Sequence, residues 1–260
     1  MANSSDDFAS RMIPLKDDAP RITTPYMTWL LIAVNIGIYF YEWMIRLSYG
    51  QGAQNAIERI FGLVPVRVTI LLEGGHVPLR LVSQLGAHMV TPASALLPFF
   101  TSMFLHGGWL HVIVNMWALW IFGDNVEDHL GHFTYLLMYL LCGLAGGVTH
   151  TLLNLGSAVP SVGASGAIAG IMGAYFVLYP KARVLTLVPF FFVFFMWLPA
   201  WVVLGYWFVV QFLSGAATTL SATNPSGGGV AFWAHVGGFV SGLVLIRLFP
   251  SRPRRYRYGI

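Results

Sequence analysis

Three long stretches of this chain carry no charged side chain. No Asp, Glu, Lys or Arg occurs between Arg80 and Asp124, between Asp128 and Lys181, or from Val184 to Ile246. Runs of that length far exceed any helix buried in a soluble core, so several membrane spans are implied. The balance of residues agrees: 57% hydrophobic, 9% charged and a mean hydropathy of +0.69 leave too little polar surface to cover a soluble globule of 260 residues.

Segments of about 20 apolar residues fall near 27–47, 110–126, 133–153, 165–179, 198–216 and 233–249. The expected fold is therefore an all-α membrane protein, a bundle of six transmembrane helices. The run Val184 to Leu213 is too short for two crossings and is interrupted by Pro189 and Pro199, so its first half is expected to be a partial or interfacial element.

The net charge of +4 is concentrated at the ends. Arg252, Arg254, Arg255 and Arg257 crowd the C-terminus, and Arg11, Lys16 and Arg21 precede the first span. Juxtamembrane cations of this kind set topology rather than bind nucleic acid, and an even number of crossings puts both termini, with Lys181 and Arg183, on the cytoplasmic side. The chain divides into an N-terminal cytoplasmic tail (1–24), a six-helix domain (25–250) containing an outer loop (48–108), and a basic cytoplasmic tail (251–260). That outer loop, rich in Pro and Gly, has apolar pieces such as Val66 to Leu72 that could lie in the interface. The first span reads as a retained signal anchor, and the lack of an organelle presequence rich in arginine and serine points to the cell membrane.

Cys142 is the single cysteine, which excludes an internal disulfide or a cysteine-rich metal site and leaves it as a small packing residue. No internal repeat marks an inverted-repeat transporter. There is no His-Glu-x-x-His zinc motif and no aspartate pair within the spans, and neither a cofactor nor a metal is expected.

In the six-helix topology the second, fourth and sixth spans enter from outside, and His111, Ser165 and His235 all lie near their starts. Polar groups at one depth in a membrane face each other or water. Serine needs a base to take its proton, and His235 is the candidate. The turn Val162-Gly163-Ala164-Ser165-Gly166 precedes a helix, where free N–H groups can bind a developing oxyanion. Asn115 lies one turn after His111 on the same helix face, and both could donate to that oxyanion. No Asp or Glu follows Asp128, so a Ser165/His235 dyad is expected rather than a triad. Gly238 and Gly242 after His235, and Gly166, Gly170 and Ala174 after Ser165, form small-residue stripes that let two helices approach closely. Taken singly, Ser165 reads as a helix cap, His111 and His235 as interhelical hydrogen bonders and Asn115 as interhelical glue. Only their joint occurrence at matched depth points to acyl transfer.

Three motifs carry a family resemblance: His106-Gly-Gly-Trp-Leu-His111-Val-Ile-Val-Asn115, Gly163-Ala-Ser165-Gly166, and Ala234-His235-Val-Gly-Gly238-Phe-Val-Ser-Gly242. In this order, at helix starts, they resemble the rhomboid intramembrane serine proteases over Pro25 to Phe249. The resemblance implies a six-helix core, a Ser165/His235 dyad, and oxyanion stabilisation by His111, Asn115 and the Ser165 backbone N–H. It implies a structural role for His106 and for the turn from Gly123 to Gly131. It also implies substrates that are single-span membrane proteins cut near the outer end of their helix, with a catalytically silent, client-binding relative as the alternative. Two positions depart from the family pattern. Leu97-Pro98 stands where a Trp-Arg pair is common. Ala169 stands where many members carry a tyrosine packed on the catalytic imidazole, so another group must support His235.

Overall fold

The computed structural model describes residues 12–74, 77, 90–189, 193–220 and 230–252. The N-terminal tail is thus described from Met12 and the basic C-terminal tail only to Arg252. Arg254, Arg255 and Arg257 lie outside the described residues, as does Arg80 in the outer loop.

The described elements run, in chain order, β1 (Ile13–Asp17), α1 (Tyr26–Tyr49), α2 (Gln51–Phe61), α3 (Pro65–Leu72), α4 (Pro92–Leu96), α5 (Pro98–Thr101), a 3-10 turn (Ser102–Phe104), α6 (Trp109–Leu130), α7 (His132–Leu152), α8 (Ser165–Leu178), β2 (Arg183–Pro189), β3 (Val193–Pro199), α9 (Ala200–Leu220) and α10 (Phe232–Leu248). Each apolar segment expected to cross the membrane is one of the helices α1, α6, α7, α8, α9 or α10. Three of them, α1, α7 and α9, are long and apolar enough to span a bilayer. A fourth span is counted when the helical stretch Pro92–Phe104 and α6, bent by 74° at their junction, are taken together. The chain is therefore an all-α, multi-pass membrane bundle.

Helices α8 and α10 are apolar but short, with 14 and 17 residues. At 1.5 Å per residue α8 is about 21 Å long, less than the roughly 30 Å hydrocarbon core. It is the centre of the bundle: every residue from Gly166 to Tyr175 is buried. Its small side chains explain how. A Cβ on Gly166 would lie 3.4 Å from the Ala234 carbonyl oxygen, and one on Gly170 would strike Cys142 of α7 while standing 3.1 Å from the Gly238 carbonyl oxygen. Helix α10 therefore lies against α8 backbone to backbone, and Cys142, fully buried, fills the third side as a packing residue.

Helices α6 and α7 reverse direction at a single residue. Gly131 has a φ of +78°, a value few L-residues adopt, and its N–H closes the last turn of α6 on the Glu127 carbonyl at 2.7 Å. The acids around this turn tie down the start of α1. The Glu127 carboxylate, fully buried, accepts hydrogen bonds from the Met27 N–H at 2.9 Å and from the Thr28 N–H and hydroxyl at 2.7 and 2.6 Å, and it also contacts the His132 ring. Asp128 accepts from the Thr23 N–H and hydroxyl, Asp124 pairs with Arg21, and the Asn125 amide donates to the Ala19 carbonyl.

Between α8 and α9 the structure gives the expected partial element a definite form. The partial or interfacial element expected there is an antiparallel β-hairpin, β2 paired with β3 in register from Arg183↔Pro199 to Pro189↔Val193. Pro189 and Pro199 bar a continuous helix, and the Val, Phe and Trp between them suit a pleated ladder. The N-terminal strand β1 adds antiparallel to β2, with an irregularity between Pro14 and Lys16, to complete a sheet in the order β1-β2-β3. Lys16 places its ammonium 5.5 Å from the centroid of the Trp197 ring.

Candidate active site

The turn before α8 determines how Ser165 is presented. Gly163 has a φ of +127°, again a backbone state open mainly to glycine, and its N–H donates to the Ser102 carbonyl at 2.8 Å, fastening the turn to the 3-10 segment. Ser165 follows as the first residue of α8, where backbone N–H groups have no partner one turn back in the helix.

Helix α10 brings His235 to this point. Its Nε2 lies 2.7 Å from Ser165 Oγ, although 70 residues separate the two in the chain. The imidazole is buried, whereas Ser165 is half-buried at the edge of a cavity of about 30 Å³. Ser102, His150, Ser161 and Gly163 also line that cavity, which has room for about one water molecule.

His111, near the start of α6, faces the same turn. A Cβ placed on Gly163 would lie 2.7 Å from His111 Nε2 and 3.7 Å from Ser165 Oγ, so the missing side chain leaves open the space between those two groups. Asn115, one helical turn further on, is buried, and its side-chain Nδ2 makes no hydrogen bond among the described residues. The glycines picked out from the sequence fall as follows: Gly163 in the turn, Gly166 and Gly170 on the face of α8 against α10, and Gly238 and Gly242 on the face of α10 against α8.

His106 lies behind the site. It is fully buried, meets His111 edge to face with ring centroids 5.1 Å apart, and donates its backbone N–H to the Glu42 carboxylate at 3.2 Å. Ala169 is buried within α8 and cannot cover the His235 ring as a tyrosine would. The group in contact with the other ring nitrogen comes from α9: Gln211 Oε1 lies 2.7 Å from His235 Nδ1. Trp207, one turn earlier, has its ring centroid 5.7 Å from that of His235, tilted by 33°. Sequence reasoning did not single out either residue. The available signal was a lone amide in an otherwise apolar span, a pattern that in lipid marks an interhelical contact.

A family model for the rhomboid domain matches residues 93–252, the stretch that holds His111, Asn115, Ser165, Gln211 and His235. The chain belongs to the rhomboid family. This rhomboid is 25% identical to RHOMBOID-like protein 1 of Arabidopsis thaliana over 242 residues, which cover 88% of the chain and 54% of the relative. It is 31% identical to the mitochondrial Rhomboid protein 1 of Saccharomyces cerevisiae over 148 residues, 55% of the chain and 39% of the relative. A shorter match of 74 residues, 42% identical, links it to the Rhomboid protease GluP of Bacillus subtilis and covers 28% of the chain and 14% of that protein. The rhomboid described here thus spans about half the length, or less, of these relatives.

Proposed function

We propose that this chain is an intramembrane serine endopeptidase that hydrolyses peptide bonds in or near the transmembrane helices of membrane proteins. The observation that carries the proposal is the 2.7 Å contact between Ser165 Oγ and His235 Nε2 at the start of a buried helix. Family membership supports a protease-like function within the membrane, and a relative named as a rhomboid protease adds to that support.

In this mechanism His235 Nε2 takes the hydroxyl proton as Ser165 Oγ attacks the scissile carbonyl carbon. The carbonyl oxygen becomes an oxyanion held by the Ser165 N–H, the His111 ring and the Asn115 amide. A buried amide donor with no partner at rest suits that role, since it can bind a developing charge without first giving up another bond. Collapse of the tetrahedral intermediate passes the proton from His235 to the leaving amine and leaves an ester on Ser165. Attack of water on that ester, with His235 again as base, frees the second product.

Family membership supports membrane-embedded substrates. A helical peptide bond is shielded by its own hydrogen bonds, so a substrate must unwind locally before Ser165 can reach it. The proposal includes six crossings, with α8 and α10 as the short central ones, a protease domain over 25–250, both tails on the cytoplasmic side and residence in the cell membrane. It assigns no role to nucleic acid, metal or cofactor.

The test is labelling of the purified protein in detergent with a fluorophosphonate serine probe, comparing wild type with Ser165→Ala and His235→Ala. Labelling that is lost in both variants supports the dyad. A folded wild type that stays unlabelled while another rhomboid protease labels alongside overturns it in favour of a silent, client-binding protein.

A further inference from the structure

Resting on the serine protease reading above, we propose that Gln211 is the positioning residue of the base. By accepting the Nδ1–H of His235 it holds the imidazole in the tautomer whose Nε2 is free to take the Ser165 proton.

A neutral imidazole carries one N–H, on either nitrogen, and the other nitrogen is then the acceptor. Gln211 faces Nδ1 with its amide oxygen at 2.7 Å, and an acceptor in that place favours the tautomer with the ring proton on Nδ1. The lone pair is then on Nε2, directed at Ser165 Oγ 2.7 Å away. Water competes poorly for either contact, because Gln211 and His235 are only 9% and 7% exposed. Trp207, four residues before Gln211 and so on the same face of α9, packs its ring against the imidazole and limits its rotation. Helix α9 therefore supplies both the support and the orienting acceptor that the small Ala169 cannot.

In a serine triad this orienting position holds a carboxylate. An amide in its place selects the tautomer without adding a negative charge beside the imidazolium that forms during reaction. The competing role for Gln211 is a plain interhelical hydrogen bond that secures α9 to α10. The two roles predict different kinetics.

The experiment uses the full chain in detergent, as wild type, Gln211→Leu and Gln211→Glu, with Ser165→Ala as the blank. Fluorophosphonate labelling rates, cleavage of a single-span reporter, melting temperature and the ¹⁵N NMR tautomer ratio of His235 are measured. In Gln211→Leu, kcat should fall by about 10-fold or more with KM unchanged, and the tautomer ratio should move away from Nδ1–H. Gln211→Glu, which keeps an acceptor oxygen, should restore both. A Leu variant with wild-type kcat and tautomer ratio overturns the proposal, as does a loss that follows melting temperature and is not rescued by Glu. A labelled wild type with an unaffected Leu variant removes only the role of Gln211. An unlabelled wild type removes the dyad and this role with it.

Discussion

Gly242 of α10 presses against the carbonyl oxygen of Gly170 in α8 so closely that a methyl group on it has no room, and Gly238 meets the Gly166 carbonyl in the same way. The contact that brings His235 to Ser165 is thus made by backbone rather than by side chains. In Gly242→Val and Gly238→Val the obstacle is main chain, which cannot rotate aside, so the helices must separate. We expect both variants to insert in the membrane, to lose about 1–3 kcal/mol or more of stability and to lose fluorophosphonate labelling. Wild-type labelling by either one would show that the dyad does not depend on this packing.

The oxyanion assignment predicts a kinetic split. His111→Ala and Asn115→Ala should each lower kcat toward a reporter substrate by about 10²-fold, with little change in KM, because the lost bond forms only in the transition state. A rise in KM at constant kcat would place these residues in substrate binding. Gly163→Ala should resemble them, since its backbone has a φ of +127° and its added methyl group would crowd His111.

Glu127 supports the opposite end of the bundle. Its carboxylate accepts from the first turn of α1, at the Met27 N–H and at the Thr28 N–H and hydroxyl. Glu127→Ala strands the two buried Thr28 donors, at about 1–3 kcal/mol for each group left unsatisfied. The expected result is a marked fall in melting temperature and release of the N-terminal segment to added protease. An unchanged melting curve would mean that other contacts anchor α1.

Docking of β1 should weaken as pH rises. Burial pushes the Asp17 carboxyl above its ordinary value of 3.8, outweighing the hydrogen bonds from the Tyr175 hydroxyl and the Ala19 N–H that pull it down, and neighbouring Asp18 adds to the rise. A carboxyl with a raised pKa holds its proton better when docked than when undocked. Its contribution is therefore fully present below the undocked value and is lost as pH climbs through the docked one. Hydrogen-exchange protection of β1, corrected for intrinsic rates, should fall between acid and neutral pH in wild type and change less in Asp17→Asn. Equal pH dependence in the two proteins would exclude Asp17 as the titrating group.

Much of this architecture is legible in the sequence because it follows from local properties. A long run with few or no charges is expelled from water whatever its neighbours, so the apolar segments and the helices they form differ at their ends by only a few residues. Pro189 and Pro199 likewise mark the break between α8 and α9, and the three motifs place His111, Ser165 and His235 near helix starts.

Other features depend on contacts between distant segments, which no local pattern contains. Residues 184–199 read as an interfacial fragment until β1, more than a hundred residues earlier, is seen to pair with β2. Gln211 reads as one amide in an apolar span, and only the rotation of α9 about its own axis aims it at Nδ1 rather than at lipid or another helix. The sequence alone determined that the chain enters a membrane and marked His111, Asn115, Ser165 and His235 as a candidate site. Tertiary structure decided which of those groups meet, because the distances depend on how helices pack, and here that packing rests on glycine backbones in contact.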